Sequence, residues 1–193
     1  MLRRSGLWIV AAVVLFALIL VIFVRDAQAP PAPVALPLTE SFDQSPTGFT
    51  LMYPAEWDTQ IPAAGIAIFG PAETLSGTEP GPTLTVQRAN PLSVVGTLDA
   101  ALDSYLNNGP LSDSDRWRIT DPVQTVQIEG RDARSVSVQG SDSDGAPEMH
   151  ARIVITSADN TFVYFFITAV PVDKRDRYDP TFDAMLASVR ILE

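Results

Sequence analysis

His150 is the only histidine in the 193 residues, Lys174 is the only lysine against twelve arginines, and cysteine is absent. Those counts narrow the chemistry at once. A hydroxyl or thiol nucleophile needs an activating base. His150 falls in a predicted strand with no G-x-S-x-G turn anywhere in the chain, so a half-exposed strand histidine is expected rather than a Ser-His-Asp site. Lys174 lies in the charged run DKRDRYD, which disfavours a Ser-Lys dyad. Zinc favours Cys and His ligands and finds one in all. Asp142, Asp144 and Glu148 are the candidates for a carboxylate cation site, but the EF-hand pattern is not met and a solvated polar turn is expected there. Paired carboxylates for glycoside hydrolysis are a matter of separation in space, and no pair stands out. No glycine loop suited to phosphate is present. The reading is therefore no catalytic residue, no metal and no cofactor. Three aromatic positions are left. Tyr53 and Trp57 are expected to close the end of a sheet, with a ligand cleft as the alternative. Trp117, between Arg116 and Arg118, is either a strand residue facing in or a contact patch.

The stretch that decides where any of this happens is Leu7 to Val24, eighteen residues without a charged, polar, Gly or Pro residue. As a helix at about 1.5 Å per residue it reaches about 27 Å, close to the ~30 Å hydrocarbon core of a bilayer. Arg3 and Arg4 precede it, Arg25 is offset by Asp26, and no further basic residue follows until Arg88. That bias places residues 1–6 in the cytoplasm and the bulk of the chain outside, as a single-pass cell-membrane protein. Ala27-Gln28-Ala29 has the small-x-small form of a signal-peptidase site, so cleavage is the alternative. A retained anchor is favoured, because the apolar run exceeds the usual ~7–15 residue signal core and Pro30 would follow the cut. Residues 25–41 read as a linker. Its PPAPVALPL segment carries four prolines, which favours an extended, semi-rigid spacer. The extracytoplasmic domain, residues 42–193, has no disulfide and must be held by its core alone. From about Thr39 the chain holds 10 basic and 22 acidic residues, a net of −12, which repels nucleic acid, anionic headgroups and acidic wall polymers.

The elements follow from periodicity. Residues 48–53, 65–69 and 83–87 read as strands, with a turn through Glu56-Trp57 and a loop over 71–82 rich in Gly and Pro. Leu98, Ala101, Leu102, Tyr105 and Leu106 form one helical stripe, with Thr97 as N-cap, Asp99 in the first turn and Gly109-Pro110 as the stop. Residues 123–128 and 132–139 alternate about Glu129-Gly130 as a hairpin. Residues 148–156 and 161–170 form a second hairpin. The run FVYFFITAV is apolar on both faces and must be central, with cover on each side. Asp179-Pro180 reads as an N-cap and first helical position, and Phe182, Met185, Leu186 and Val189 form the buried stripe of a closing helix. The predicted fold class is α+β: an antiparallel sheet of about seven strands between helices, an α/β/α sandwich, preceded by one transmembrane helix.

Gly48-Phe49-x-x-x-Tyr53-Pro54-x-x-Trp57 resembles the F-x-x-x-Y-P-x-x-W opening of PsbP-like domains, and Phe182-x-x-Met185-Leu186-x-Ser188-Val189-Arg190 resembles their closing helix and strand. The likeness covers roughly residues 45–192. It implies an α/β/α sandwich used as a non-catalytic extrinsic or envelope-facing module, here a membrane-anchored bacterial member. The photosystem role of plant members does not transfer, since nothing in the chain marks a photosynthetic context.

The expected function is thus a membrane-anchored extracytoplasmic interaction or assembly module, not an enzyme, with an unknown protein partner of basic character. A ligand-sensing or transport-accessory domain is the alternative, which requires an apolar pocket with a few polar groups. An envelope hydrolase ranks below both. Specificity is expected in the loops Pro71 to Pro82 and Gly140 to Pro147, which break the regular patterning.

Overall fold

Buried aromatic and β-branched residues on two faces of one strand organise the molecule. A computed structural model describes residues 33–44, 47–89, 96–109, 111–112, 115–141, 143–158 and 162–192. Leu7 to Val24 and residues 1–6 lie outside the described residues, and no helix among the described residues is long and apolar enough to cross a membrane.

In chain order the elements are β1 (Leu38–Gln44), β2 (Phe49–Pro54), β3 (Trp57–Ala63), β4 (Ile66–Pro71), α1 (Ala72–Leu75), β5 (Thr83–Ala89), α2 (Leu98–Asn108), β6 (Trp117–Ile128), β7 (Arg131–Gly140), β8 (Met149–Ala158), β9 (Phe162–Pro171), a 3-10 turn (Val172–Lys174), α3 (Arg175–Ala187) and β10 (Arg190–Ile191). Seven strands form one antiparallel sheet in the order β3-β4-β5-β9-β8-β7-β6. Strand β9, the apolar run, sits fourth of seven. Its Tyr164, Phe166 and Val170 enter one core and its Val163 and Phe165 the other. Fully burying side chains of this size is worth about 1.5–3 kcal/mol each, which is why the strand cannot lie at an edge.

The cover differs on the two faces. Over one, α2 packs Ala101 and Leu102 against Val136, Ile153 and Phe165. Thr97 caps this helix as the sequence predicts: its Oγ1 accepts from the Ala100 N–H at 3.1 Å. Over the other face lie α3 and a second, three-stranded sheet ordered β1-β2-β10. The strand expected over 48–53 belongs to this smaller sheet, so the sandwich has a mixed helix-and-strand layer on that side.

Four boundaries depart from expectation. The folded unit begins at Val34, not after a linker ending at residue 41: Leu36 and Leu38 pack on the core, and the Leu36 N–H donates to Thr181 Oγ1 at 2.9 Å. The turn expected at Glu56-Trp57 opens directly into β3, an edge strand whose residues after Trp57 are mostly exposed and therefore show no alternation. Strand β6 starts at Trp117, ahead of Val123. Helix α3 starts at Arg175, with Pro180 inside it rather than at its first position. Arg175 Nε donates to Asp179 Oδ2 at 2.9 Å and ties the extra turn together.

The Glu129-Gly130 hairpin is as predicted. Both residues have positive φ (52° and 75°), the backbone of a type I′ turn that matches strand twist.

Candidate functional site

Helix α2 lies over β7 and β8 and leaves β5 and the end of β9 uncovered on the same face. There the residues in register across the sheet are small: Thr83 lies opposite Ala169, and Ala169 opposite Ala151. Small side chains beneath an incomplete helix layer leave a cleft of about 680 Å³.

Strand alternation supplies its floor. Leu84 and Val86 of β5 are buried in the opposite core, so Thr83, Thr85 and Gln87 point into the cleft. Ile66, Ile167 and Met149 add apolar surface from β4, β9 and β8. The walls come from two loops and the end of α2. Thr74, Glu79 and Pro80 belong to the stretch 71–82, and Ala146 and Pro147 to the stretch 140–147. The two loops singled out in the sequence thus face each other across one opening. The short helix α1, not foreseen there, shapes the first of them.

Trp117 and Tyr105 close the inner end. Trp117 is 8% exposed, and it lies opposite Gly140 in the β6–β7 ladder. A Cβ at Gly140 would stand 2.8 Å from the Trp117 ring, so glycine lets the indole lie flat across the strand. Tyr105 packs on Phe165 with ring centroids 5.0 Å apart, and burial raises the pKa of its phenol, which stays neutral. The hydroxyls of Thr83, Thr85 and Tyr105 and the amide of Gln87 make no side-chain hydrogen bond among the described residues. They are the polar groups that this apolar cleft presents.

The other residues weighed in the sequence fall elsewhere. Trp117 faces in, as one of its two readings had it, while Arg116 and Arg118 point out to pair with Asp144 (3.5 Å) and Glu148 (3.0 Å). Asp144 and Glu148 therefore serve two different arginines, and Asp142 lies outside the described residues. Among the described residues no three His, Asp or Glu side chains gather closely enough to hold a metal. Tyr53 packs on Phe69, and Trp57 on Tyr178 and Phe182, in the core under α3. His150 is not half-exposed but buried, at 3%. It lies between Met149 and Ala151, both of the cleft, and so faces the opposite side of the sheet. Its Nδ1 is buried without a hydrogen-bond partner among the described residues. Burial, and then the nearby Arg175 guanidinium, lower its pKa below 6.5, with Arg152 adding and Asp179 and Asp121 opposing. Lys174 is exposed in the 3-10 turn ahead of α3.

Composition and periodicity did not find Thr83, Thr85, Gln87 or Tyr105 as cleft residues. The polar face of β5 was legible as half-buried, but its signal is the same as that of a solvated strand face.

A seven-stranded antiparallel sheet covered by a helix on one face and by a helix with a small three-stranded sheet on the other, entered through β1 and β2 and closed by α3 and β10, is a PsbP-like fold. The chain is similar to cyanobacterial PsbP (CyanoP) from Synechocystis sp. PCC 6803, with a TM-score of 0.58 and 13% identity over 86% of this chain and 99% of that one. It is also similar to the Ran-binding protein Mog1p of Saccharomyces cerevisiae (TM-score 0.57, 10% identity, 81% and 97% covered). A third similar structure is LpqN, involved in cell envelope biogenesis of Mycobacterium tuberculosis (TM-score 0.50, 12% identity, 86% and 88% covered). At such identities the likeness is one of fold. No protein-family model matches the chain, and no curated protein matches it.

Proposed function

We propose that this chain is a non-catalytic interaction module, anchored in the cell membrane by Leu7 to Val24 and holding its folded domain outside the cytoplasm. The observation that carries the reading is the convergence of the loops 71–82 and 140–147 on one face of a rigid sheet. Recognition by strand addition is disfavoured at both edges of the seven-stranded sheet. Strand β3 carries Pro62 within a register shift between Gln60 and Ala63, and β6 has shifts at 119–121 and 121–124, with Pro122 inside the second. Bulges and prolines at edges block pairing with another chain. The loops carry Glu73, exposed on α1, Glu79 at the rim of the cleft and Asp144, paired with Arg116, on a chain of net charge −10, so the partner is a protein with a basic surface, bound faster at low salt. Catalysis has little support: His150, the natural base, is buried on the other side of the sheet from the cleft hydroxyls.

Two measurements test this. Alkaline carbonate should leave the protein in the membrane pellet, and protease added to spheroplasts should digest the domain. A mature N-terminus at Pro30 would make it a secreted protein instead. Pull-downs with either loop replaced by Gly-Ser should lose the partner, and undiminished recovery from both replacements would move the site to the helices or sheet edges.

The cleft volume gives the second reading, a ligand-sensing or transport-accessory domain, a specific basis. Small-molecule sites span roughly 300–1,000 Å³ and are apolar with a few placed polar groups.

A further inference from the structure

We propose that the cleft between α2 and the loops 71–82 and 140–147 is a binding site for an uncharged amphiphile, an acyl chain bearing a hydroxyl or amide head. This goes beyond recognition of a protein partner by the loops and does not depend on it. The apolar part of the ligand follows from the walls: Trp117, Met149 and Ile167 present ring, thioether and methyl surface over the small Ala151 and Ala169. Such surface in an open hollow gains most from a flexible apolar chain that can fill it.

The head follows from the floor. Thr83, Thr85 and Gln87 stand on one face of β5 about 7 Å apart in succession. Each offers both a donor and an acceptor, and none uses its side chain on the protein among the described residues. A glycerol hydroxyl or an amide also has both and can satisfy such a strip. A carboxylate or phosphate has acceptors alone, and needs positive charge when taken from water. Among the described residues no Lys or Arg lines the cleft, the one charged lining residue is the carboxylate of Glu79, and the chain carries a net charge of −10. An anionic lipid is therefore the wrong occupant. A cation would find one rim carboxylate and leave the donors of the floor unused.

The test uses the full-length chain in its own membranes. The probe is a monoacylglycerol with a diazirine in its acyl chain; the control is the fatty acid of the same chain and diazirine. Adducts are mapped by mass spectrometry and normalised to total membrane labelling. The neutral probe should mark peptides carrying residues 83–87, Tyr105, Trp117 or Met149, at least about tenfold above the fatty acid. Ala169→Phe, which fills the hollow from its floor, should abolish those adducts. Thr83→Val with Thr85→Val keeps shape and stability while removing two hydroxyls, and should reduce cleft labelling about fivefold. The pair keeps the test decisive should the phenylalanine variant fold poorly. Equal labelling by both probes, full labelling of the valine variant, or no cleft adduct from either probe would overturn the proposal, the last leaving the cleft to a segment of a protein partner.

Discussion

The hydroxyl of Tyr164, in the centre of the large sheet, donates a hydrogen bond to the carbonyl oxygen of Gly48 at 3.0 Å, across 116 residues of chain. The same oxygen accepts from the Leu192 N–H at 2.9 Å. One carbonyl thus ties β9 to the residue ahead of β2 and to the residue after β10. Gly48 has φ of 77°, and a Cβ there would fall on the Tyr164 hydroxyl.

Tyr164→Phe should therefore cost about 1 kcal/mol of stability, the usual net value of one such bond. Gly48→Ala should cost about 2 kcal/mol or more, from backbone strain and the collision together. Combining them should cost less than the sum, because the colliding atom is gone. Urea unfolding of the three variants measures this. Strict additivity would show that the two residues do not meet.

Leu102 is 1% exposed where α2 meets the sheet. Leu102→Asp should cost several kcal/mol by burying an unpaired carboxylate. Asp99 lies one face away, 63% exposed at its side chain, paired to Arg134 at 2.7 Å. Asp99→Ala should cost under about 1 kcal/mol, as exposed pairs do. Equal effects would misplace the helix.

His150 makes stability depend on pH. Its folded pKa lies below its ordinary 6.5 through burial and Arg175, so the folded state binds fewer protons than the unfolded one below that pH. The contribution is fully present above about pH 6.5 and is lost as pH falls toward the folded pKa. Between pH about 7.5 and 5.5 the urea midpoint of the wild type should fall further than that of His150→Gln. Parallel falls would mean that His150 titrates normally.

Pro180 sits inside α3, where it removes one helical hydrogen bond. Pro180→Ala should raise stability by about 1–2 kcal/mol, less than the full helix-interior difference because the unfolded chain gains freedom. At a first helical position the same change would be neutral or destabilising, so thermal unfolding of this variant checks where the helix begins.

Much of the fold was legible because burial leaves periodic traces. The apolar run of β9 marked a strand covered on both faces, the stripe from Leu98 to Leu106 marked α2, and Glu129-Gly130 marked a turn that few dipeptides make. Elements that bury little left no trace: β3 buries Trp57 and exposes most of the rest, and β1 was hidden behind prolines. The start of α3 was misread because a proline after an aspartate looks like a helix opening, while the Arg175–Asp179 pair carries the helix through it.

By itself the sequence determined the absence of cysteine, the single histidine and lysine, the acidic charge, the central strand and the two covering helices, since each of these is a property of residue type or of local spacing. The tertiary structure decided which side of the sheet each residue serves. His150 and Met149 are neighbours in sequence, yet one is buried beneath α3 and the other lines the cleft. The cleft itself exists because Ala151, Ala169 and Thr83 meet in register beneath an incomplete helix layer, and register between strands far apart in the chain is set by packing, not by any one segment.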